Sequence, residues 1–105
     1  MKRGEVWWAE LPAPAGRRPV VLLSRNEAYA VRALVTVAPI TTRRRGIPVE
    51  VELGLADGMP RDCVANLDTV TTIARQSLAE RLTDLSPARM HEVDDALRFA
   101  LALER

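Results

Sequence analysis

The chain has one cysteine and one histidine in 105 residues. A lone Cys63 excludes an internal disulfide, and its apolar neighbours point to a buried strand residue in a reducing compartment. One His, one Cys and carboxylates spread over a strand exterior and a C-terminal helical pattern make no metal-ligand cluster, so no metal or cofactor is expected. No apolar run approaches the ~20 residues of a membrane span. The start, Met1-Lys2-Arg3-Gly4-Glu5, lacks the apolar stretch and cleavage site of a secretory signal. The expectation is a cytoplasmic protein without membrane association. The length suits one domain over 1–105, burying roughly 60–70% of the surface its unfolded chain exposes.

The formal net charge of +1 conceals an asymmetry. Residues 1–45 hold nine Lys/Arg and three Glu, a net +6, whereas residues 46–105 hold six Arg and eleven Asp/Glu, a net −5. Two solvated surfaces of opposite sign would account for this. The sharper reading is a basic half that faces a polyanion, because clefts of one sign raise local substrate concentration and on-rate.

Hydrophobic periodicity predicts strands first and a helix last. Glu5–Leu11 reads as a strand, broken by the Pro12-Ala13-Pro14-Ala15-Gly16 loop. Pro19–Ser24 reads as a strand apolar on both faces, and Arg32–Ile40 as a third strand. Between them, Asn26–Ala30 suits a single helical turn capped by Asn26. Val49, Val51 and Leu53 alternate with Glu50 and Glu52, a half-exposed strand with the glutamates solvated. Short strands are expected near Cys63–Asn66 and Thr69–Ala74, and a short helix near Ser77–Arg81. Ser86 and Pro87 suit the N-cap and first position of a closing helix with a Met90–Val93–Leu97–Leu101 packing stripe. Tyr29 and Phe99 read as packing residues and His91 as a surface residue. The fold class is mostly β with α: a small, strongly curved antiparallel sheet or partial barrel, capped by the helix.

Two basic segments sit at strand ends. Arg17-Arg18-Pro19 leads into Val20-Val21-Leu22-Leu23, and Thr41-Thr42-Arg43-Arg44-Arg45 follows Leu34–Ile40. Antiparallel pairing of the two strands would bring guanidinium forks and hydroxyls together at one sheet edge, a combination that suits a phosphodiester. Arg17 and Arg43–Arg45 are candidate RNA-backbone contacts, with solvated side chains as the alternative. Thr42 is either a supporting hydroxyl or a strand end. Arg25 and Asn26 are carried as further RNA-binding candidates, although a surface turn is their default reading. Trp7 and Trp8 point to opposite sides of their strand: one belongs in the core, the other at a subunit contact or under a stacked base.

These residues resemble a family. Gly4-Glu5-Val6-Trp7 and Arg18-Pro19-Val20-Val21-Leu22-Leu23-Ser24 are similar to the opening of the MazF/PemK toxins. Val37-Ala38-Pro39-Ile40-Thr41-Thr42 resembles the family's third-strand end, and Val64-Ala65-Asn66-Leu67-Asp68-Thr69-Val70 its late strand motif. Leu85-Ser86-Pro87-Ala88-Arg89-Met90, with Val93 and Ala96-Leu97, resembles its closing helix. The resemblance runs in order along nearly the whole chain.

It implies an SH3-like barrel related to the gyrase poison CcdB, a homodimer, and the toxin of a type II toxin–antitoxin pair. It implies a metal-independent endoribonuclease that cuts single-stranded RNA (messenger, ribosomal or transfer RNA) at short sequences and arrests translation and growth. Arg18 matches the family's catalytic arginine and Thr41 its catalytic threonine. Some members carry a Glu or His in the loop before this arginine. Here that loop has neither, which leaves the general base unassigned. The implied partner is a MazE-like antitoxin whose acidic, partly disordered segment competes with RNA for the arginines. A CcdB-like protein that poisons gyrase, or a decayed RNA-binding module, are the alternatives. Cleavage of RNA in EDTA separates the first reading from both.

Overall fold

The computed structural model describes residues 1–104. In chain order it contains β1 (Glu5–Glu10), β2 (Arg17–Leu22), the one-turn α1 (Ala28–Val31), β3 (Leu34–Thr41), β4 (Glu50–Leu53), β5 (Cys63–Asn66), β6 (Thr71–Ala74), β7 (Leu78–Asp84) and α2 (Pro87–Leu101). The strands form an antiparallel sheet in the order β4-β5-β3-β2-β1-β7, with β6 also paired to β3. β3 is the strand that turns the sheet. Its first half pairs with β6 at Leu34–Val37, and its last two residues pair with β5. This mostly-β partial barrel closed by a C-terminal helix is the expected fold class.

The period-2 pattern divides the core into two clusters. In β2, Val21 joins the cluster of Val6, Ala38, Ile40, Val51, Ala65, Leu67, Val93 and Ala96. Val20 and Leu22 face the other way, toward Ala9, Tyr29, Val35, Val37 and Leu78. A strand with apolar residues on both faces is thus buried on both. Trp7 packs against the second cluster.

The closing helix begins where the sequence indicates. Ser86 Oγ accepts from Arg89 N at 3.1 Å, and Pro87 follows it. Arg89 Nε donates to Asp57 Oδ1 at 2.9 Å, and Arg3 Nη2 to Asp94 Oδ1 at 2.7 Å, fastening the helix to the 55–57 turn and to the N-terminus. Val93 and Ala96 are buried and Met90 and Leu97 pack beside them, but the stripe ends early: Leu101 is 57% exposed. Phe99 is 64% exposed and does not pack in the core; it borders an open hollow between α2 and β4 with Pro48, Glu50 and Val51. No helix among the described residues is long and apolar enough to cross a membrane.

Several local expectations are corrected. The helix expected near Ser77–Arg81 does not form: Ser77 ends a 3-10 turn at Arg75–Ser77, and Leu78–Asp84 forms β7 along the outer edge of β1. Ala79, Glu80, Arg81 and Leu82 are good helix formers, but pairing the open backbone groups of β1 outweighs that small preference. Asn26 does not cap α1. Glu27 occupies the cap position without a side-chain bond, and Asn26 Oδ1 accepts instead from Arg3 N at 2.7 Å. The second strand starts at Arg17, the third spans Leu34–Thr41, and the Thr69–Ala74 strand shortens to Thr71–Ala74 behind a 3-10 turn at Leu67–Thr69. Tyr29 is buried as expected, its hydroxyl donating to the Ser24 carbonyl at 3.1 Å.

Leu67, 1% exposed, anchors the 3-10 turn under α2 beside Val93 and Ala96. Leu67→Ala should cost about 2–5 kcal/mol, read as a lower urea midpoint at unchanged m-value. A midpoint equal to wild type would show that the turn is not held by this side chain.

Candidate active site

β2 and β3 pair in the register Val20↔Pro39, Val21↔Ala38 and Leu22↔Val37. Continued by two residues, that register brings Arg18 level with Thr41, as the strand-end reading requires. The two side chains line one cavity of about 170 Å³, together with Pro39, Arg43 and Arg45. Glu50 from β4, Asn66 from the end of β5 and Thr69 from the 3-10 turn complete it.

Three arginines and one glutamate line this cavity. The carboxylate is largely committed elsewhere. Glu50 Oε1 accepts from Arg45 N at 2.9 Å and Gly46 N at 3.0 Å, and Oε2 from Arg45 N at 3.2 Å. Glu50 is therefore half-buried and organises the arginine loop, instead of standing as a free, solvated strand residue. Thr41 Oγ1 accepts from Arg43 N at 3.1 Å, which leaves the hydroxyl hydrogen free to donate. Arg18 Nε is buried with no hydrogen-bond partner, the one side-chain atom in that state among the described residues. Leaving a buried donor unpaired costs about 1–3 kcal/mol, so the site carries an unmet demand for an acceptor.

The other candidates fall at different distances from this point. Arg43 and Arg45 reach the cavity of Arg18 and Thr41. Thr42 lines a neighbouring apolar pocket of about 200 Å³ with Trp8, Pro19, Met59, Pro60, Arg61 and Cys63; Thr41 borders both. Burial pushes the Cys63 thiol above its usual range, and Asp57 and Asp62 add to the shift. Arg17 donates to Glu10 at 3.0 Å and Glu80 at 2.8 Å, and its guanidinium sits 5.0 Å from the Trp8 ring centroid. Arg44 turns outward to Glu52 at 3.8 Å. Arg25 lies in a separate hollow with Ser24, Arg32, Thr36 and Thr72, and Asn26 holds the backbone of Arg3. His91 is exposed on α2. Among the described residues, no set of three or more His, Cys, Asp or Glu is gathered as a metal centre.

Sequence reasoning did not find Glu50, Asn66 and Thr69. Alternation correctly put Glu50 on the outside of its strand. Which outside it faces depends on long-range pairing through β5. The Asn66-Leu67-Asp68 spacing does carry a local signal, since Asn66 Oδ1 accepts from Asp68 N at 2.9 Å, a turn that asparagine favours.

Removing the Glu50 carboxylate frees two backbone donors. In Glu50→Ala the Arg45 and Gly46 amides should exchange hydrogen at least ~10-fold faster, a loss of roughly 1.4 kcal/mol or more of local protection. Unchanged exchange would mean that the loop is held by something else.

Residues 2–101 match the family described as PemK-like, MazF-like toxin of type II toxin-antitoxin system. The chain is 41% identical over 99 residues to "Probable endoribonuclease MazF2" of Mycobacterium tuberculosis, covering 93% of this chain and 95% of that protein. It is 43% identical over 104 residues to "Probable endoribonuclease MazF5" of the same organism, covering 98% and 94%. Among solved structures it superposes on Mycobacterium tuberculosis toxin MazF-mt6 with a TM-score of 0.89 at 29% identity, over 96% of this chain and 99% of that one. A mycobacterial endoribonuclease in complex with its cognate antitoxin gives a TM-score of 0.89 at 31% identity, over 100% and 98%. With a family match over residues 2–101 and relatives 41% and 43% identical over nearly the whole chain, the chain belongs to the PemK-like, MazF-like toxin family of type II toxin–antitoxin systems.

Proposed function

We propose that this chain is a toxin that cuts single-stranded RNA endonucleolytically, with Arg18 and Thr41 acting on the scissile phosphate. The observation that carries the reading is Arg18 itself: a guanidinium in a basic cavity, level with a donor-ready threonine, with a buried Nε lacking any acceptor. The relatives' names supply the reaction class.

The reaction needs no group beyond the substrate's own nucleophile. The 2′-oxygen forms a bond to the adjacent phosphorus, and the bond from phosphorus to the 5′-oxygen breaks. The products are a 2′,3′-cyclic phosphate and a 5′-OH end. Charge gathers on the phosphorane's equatorial oxygens, where fixed donors stabilise it more than they stabilise the substrate. Arg18 binds two of those oxygens as a fork and stays protonated throughout. Thr41 donates its hydroxyl hydrogen to a non-bridging oxygen. The 2′-OH proton passes to water, since Glu50 is largely engaged by the Arg45 and Gly46 amides, and the departing 5′-oxygen takes a proton from water to become the 5′-OH.

Arg43 and Arg45 hold neighbouring phosphates. Arg17 joins them by leaving its carboxylates, Thr42 and Arg44 add weaker contacts nearby, and Arg25 and Asn26, in a separate hollow beyond the other end of β2, are contacts for a more distant part of the RNA. The partner is an antitoxin whose acidic segment occupies these arginines and excludes RNA. The chain works as a homodimer, in the cytoplasm where its substrate is. Nothing in the geometry favours a gyrase-poisoning role.

The test is cleavage of a defined single-stranded RNA by the purified chain in EDTA, with 5′-OH ends mapped. Arg18→Ala should reduce the rate by at least ~10²-fold, the scale for losing one transition-state donor, while far-UV circular dichroism is unchanged. A variant that cuts at the wild-type rate would remove Arg18 from the mechanism.

A further inference from the structure

Asn66 ends β5 and lies opposite Glu50 across the β4–β5 pair. On its other side β5 pairs with β3 as Ile40↔Ala65 and Thr41↔Val64, so the same register carries Asn66 toward Pro39. It lines the cavity from the strand beside Thr41, and Thr69 lines it from the following turn.

The orientation of the Asn66 amide is fixed. Asp68 N donates to Asn66 Oδ1 at 2.9 Å. A backbone N–H can donate to the amide oxygen and not to the amide nitrogen. Nδ2 is therefore the free end, and among the described residues no hydrogen bond uses its two hydrogens. An asparagine with both ends free reads adenine by accepting from its N6 amine and donating to N7. Here the accepting end is tied into the turn, and what faces a ligand is a donor.

We propose that Asn66 is a specificity-determining residue that selects a keto base, uracil or guanine, at a nucleotide flanking the scissile phosphate. The inference rests on the RNA-cleavage reading of the same cavity. Uracil and guanine carry a carbonyl oxygen where cytosine and adenine carry an amino group. The carbonyl accepts from Nδ2. Provided that Nδ2 is aimed at this exocyclic substituent and not at a ring nitrogen, an amino group there sets donor against donor, and both lose water without gaining a partner. Single-stranded RNA leaves these base edges open to side chains. The arginines of the cavity cannot make this distinction while they hold phosphate oxygens, which every nucleotide shares. The Thr69 hydroxyl donates or accepts equally well, so it supports the base without choosing it.

The experiment is digestion of an RNA pool with randomised positions by the full chain, with cut ends mapped by sequencing. The wild type should favour U and G over A and C by about tenfold or more at one position within two nucleotides of the cut. Asn66→Asp keeps the oxygen that serves Asp68 and replaces the donor with an acceptor. At that position alone, the preference should fall by about tenfold or turn toward A and C. Asn66→Ala should flatten it. Because the preference is a ratio among cut products, a smaller folded fraction does not alter it. Wild-type cleavage with no keto preference near the cut, or a wild-type motif in both variants, overturns the proposal. No RNA cleavage by the wild type overturns the underlying function as well, and looks like neither of those results.

Discussion

The site depends on the antiparallel register between β2 and β3. Val20, Val21 and Leu22 stand opposite Pro39, Ala38 and Val37, and both faces of the pair are buried. A slip of one residue would send Val20 and Leu22 into the wrong cluster and Val21 into the other. Each such side chain is worth about 1.5–3 kcal/mol on burial, so the core forbids the slip. Arg18 and Thr41 lie just beyond the paired stretch. Their juxtaposition is a consequence of packing further along the same two strands, not of any attraction between a guanidinium and a hydroxyl. The cavity can therefore leave Arg18 Nε without a partner, because stability is supplied elsewhere.

A carboxylate inside a basic cavity looks self-defeating, since it cancels part of the field that draws in an anion. Glu50 resolves this by the direction of its bonds. Its oxygens point to backbone N–H groups of Arg45 and Gly46, not to the guanidiniums. The loop carrying Arg43 and Arg45 would otherwise hold several like charges on a short segment free to splay. Tying its backbone to a strand residue trades some positive potential for fixed position. Position matters more to catalysis, because donors already in place need no reorganisation when charge develops.

What the sequence revealed and what it hid follow from the range of the interactions involved. Alternation in Glu50–Leu53 and the doubly apolar run at Val20–Leu23 are local, and both strands form where those patterns lie. The Ser86–Pro87 start of α2 is local as well. β7 was hidden because Ala79–Leu82 favours helix and only the open edge of β1 makes it a strand. That miss has a second effect. Glu80 lies on β7 and is one of the two carboxylates holding Arg17, so a misread strand also concealed why Arg17 is not simply open to phosphate. Glu50 and Asn66 face each other across β4 and β5 and reach the cavity only because β5 pairs with the end of β3. No window of the sequence contains that pairing.

The charge asymmetry of the two halves also reads differently once folded. Three carboxylates of the acidic half neutralise cations of the basic half, and four more pair with arginines of their own half. Asp94 takes Arg3, Glu80 joins Glu10 on Arg17, and Glu52 lies near Arg44. Among the described residues the guanidiniums that make no ion pair are those of Arg18, Arg25, Arg32, Arg43, Arg45, Arg61 and Arg75, the last donating to the Tyr29 carbonyl instead. Three of these line the Arg18–Thr41 cavity and a fourth, Arg61, borders the adjoining pocket under Trp8. Internal pairing thus removes the cations that are not needed and leaves the unpaired ones concentrated where the strand ends meet. An incoming polyanion meets a small focused site on a particle of nearly zero net charge. That arrangement favours a specific contact over indiscriminate coating of nucleic acid. It gives an acidic protein segment the same target, because carboxylates and phosphate oxygens satisfy guanidinium forks by the same geometry.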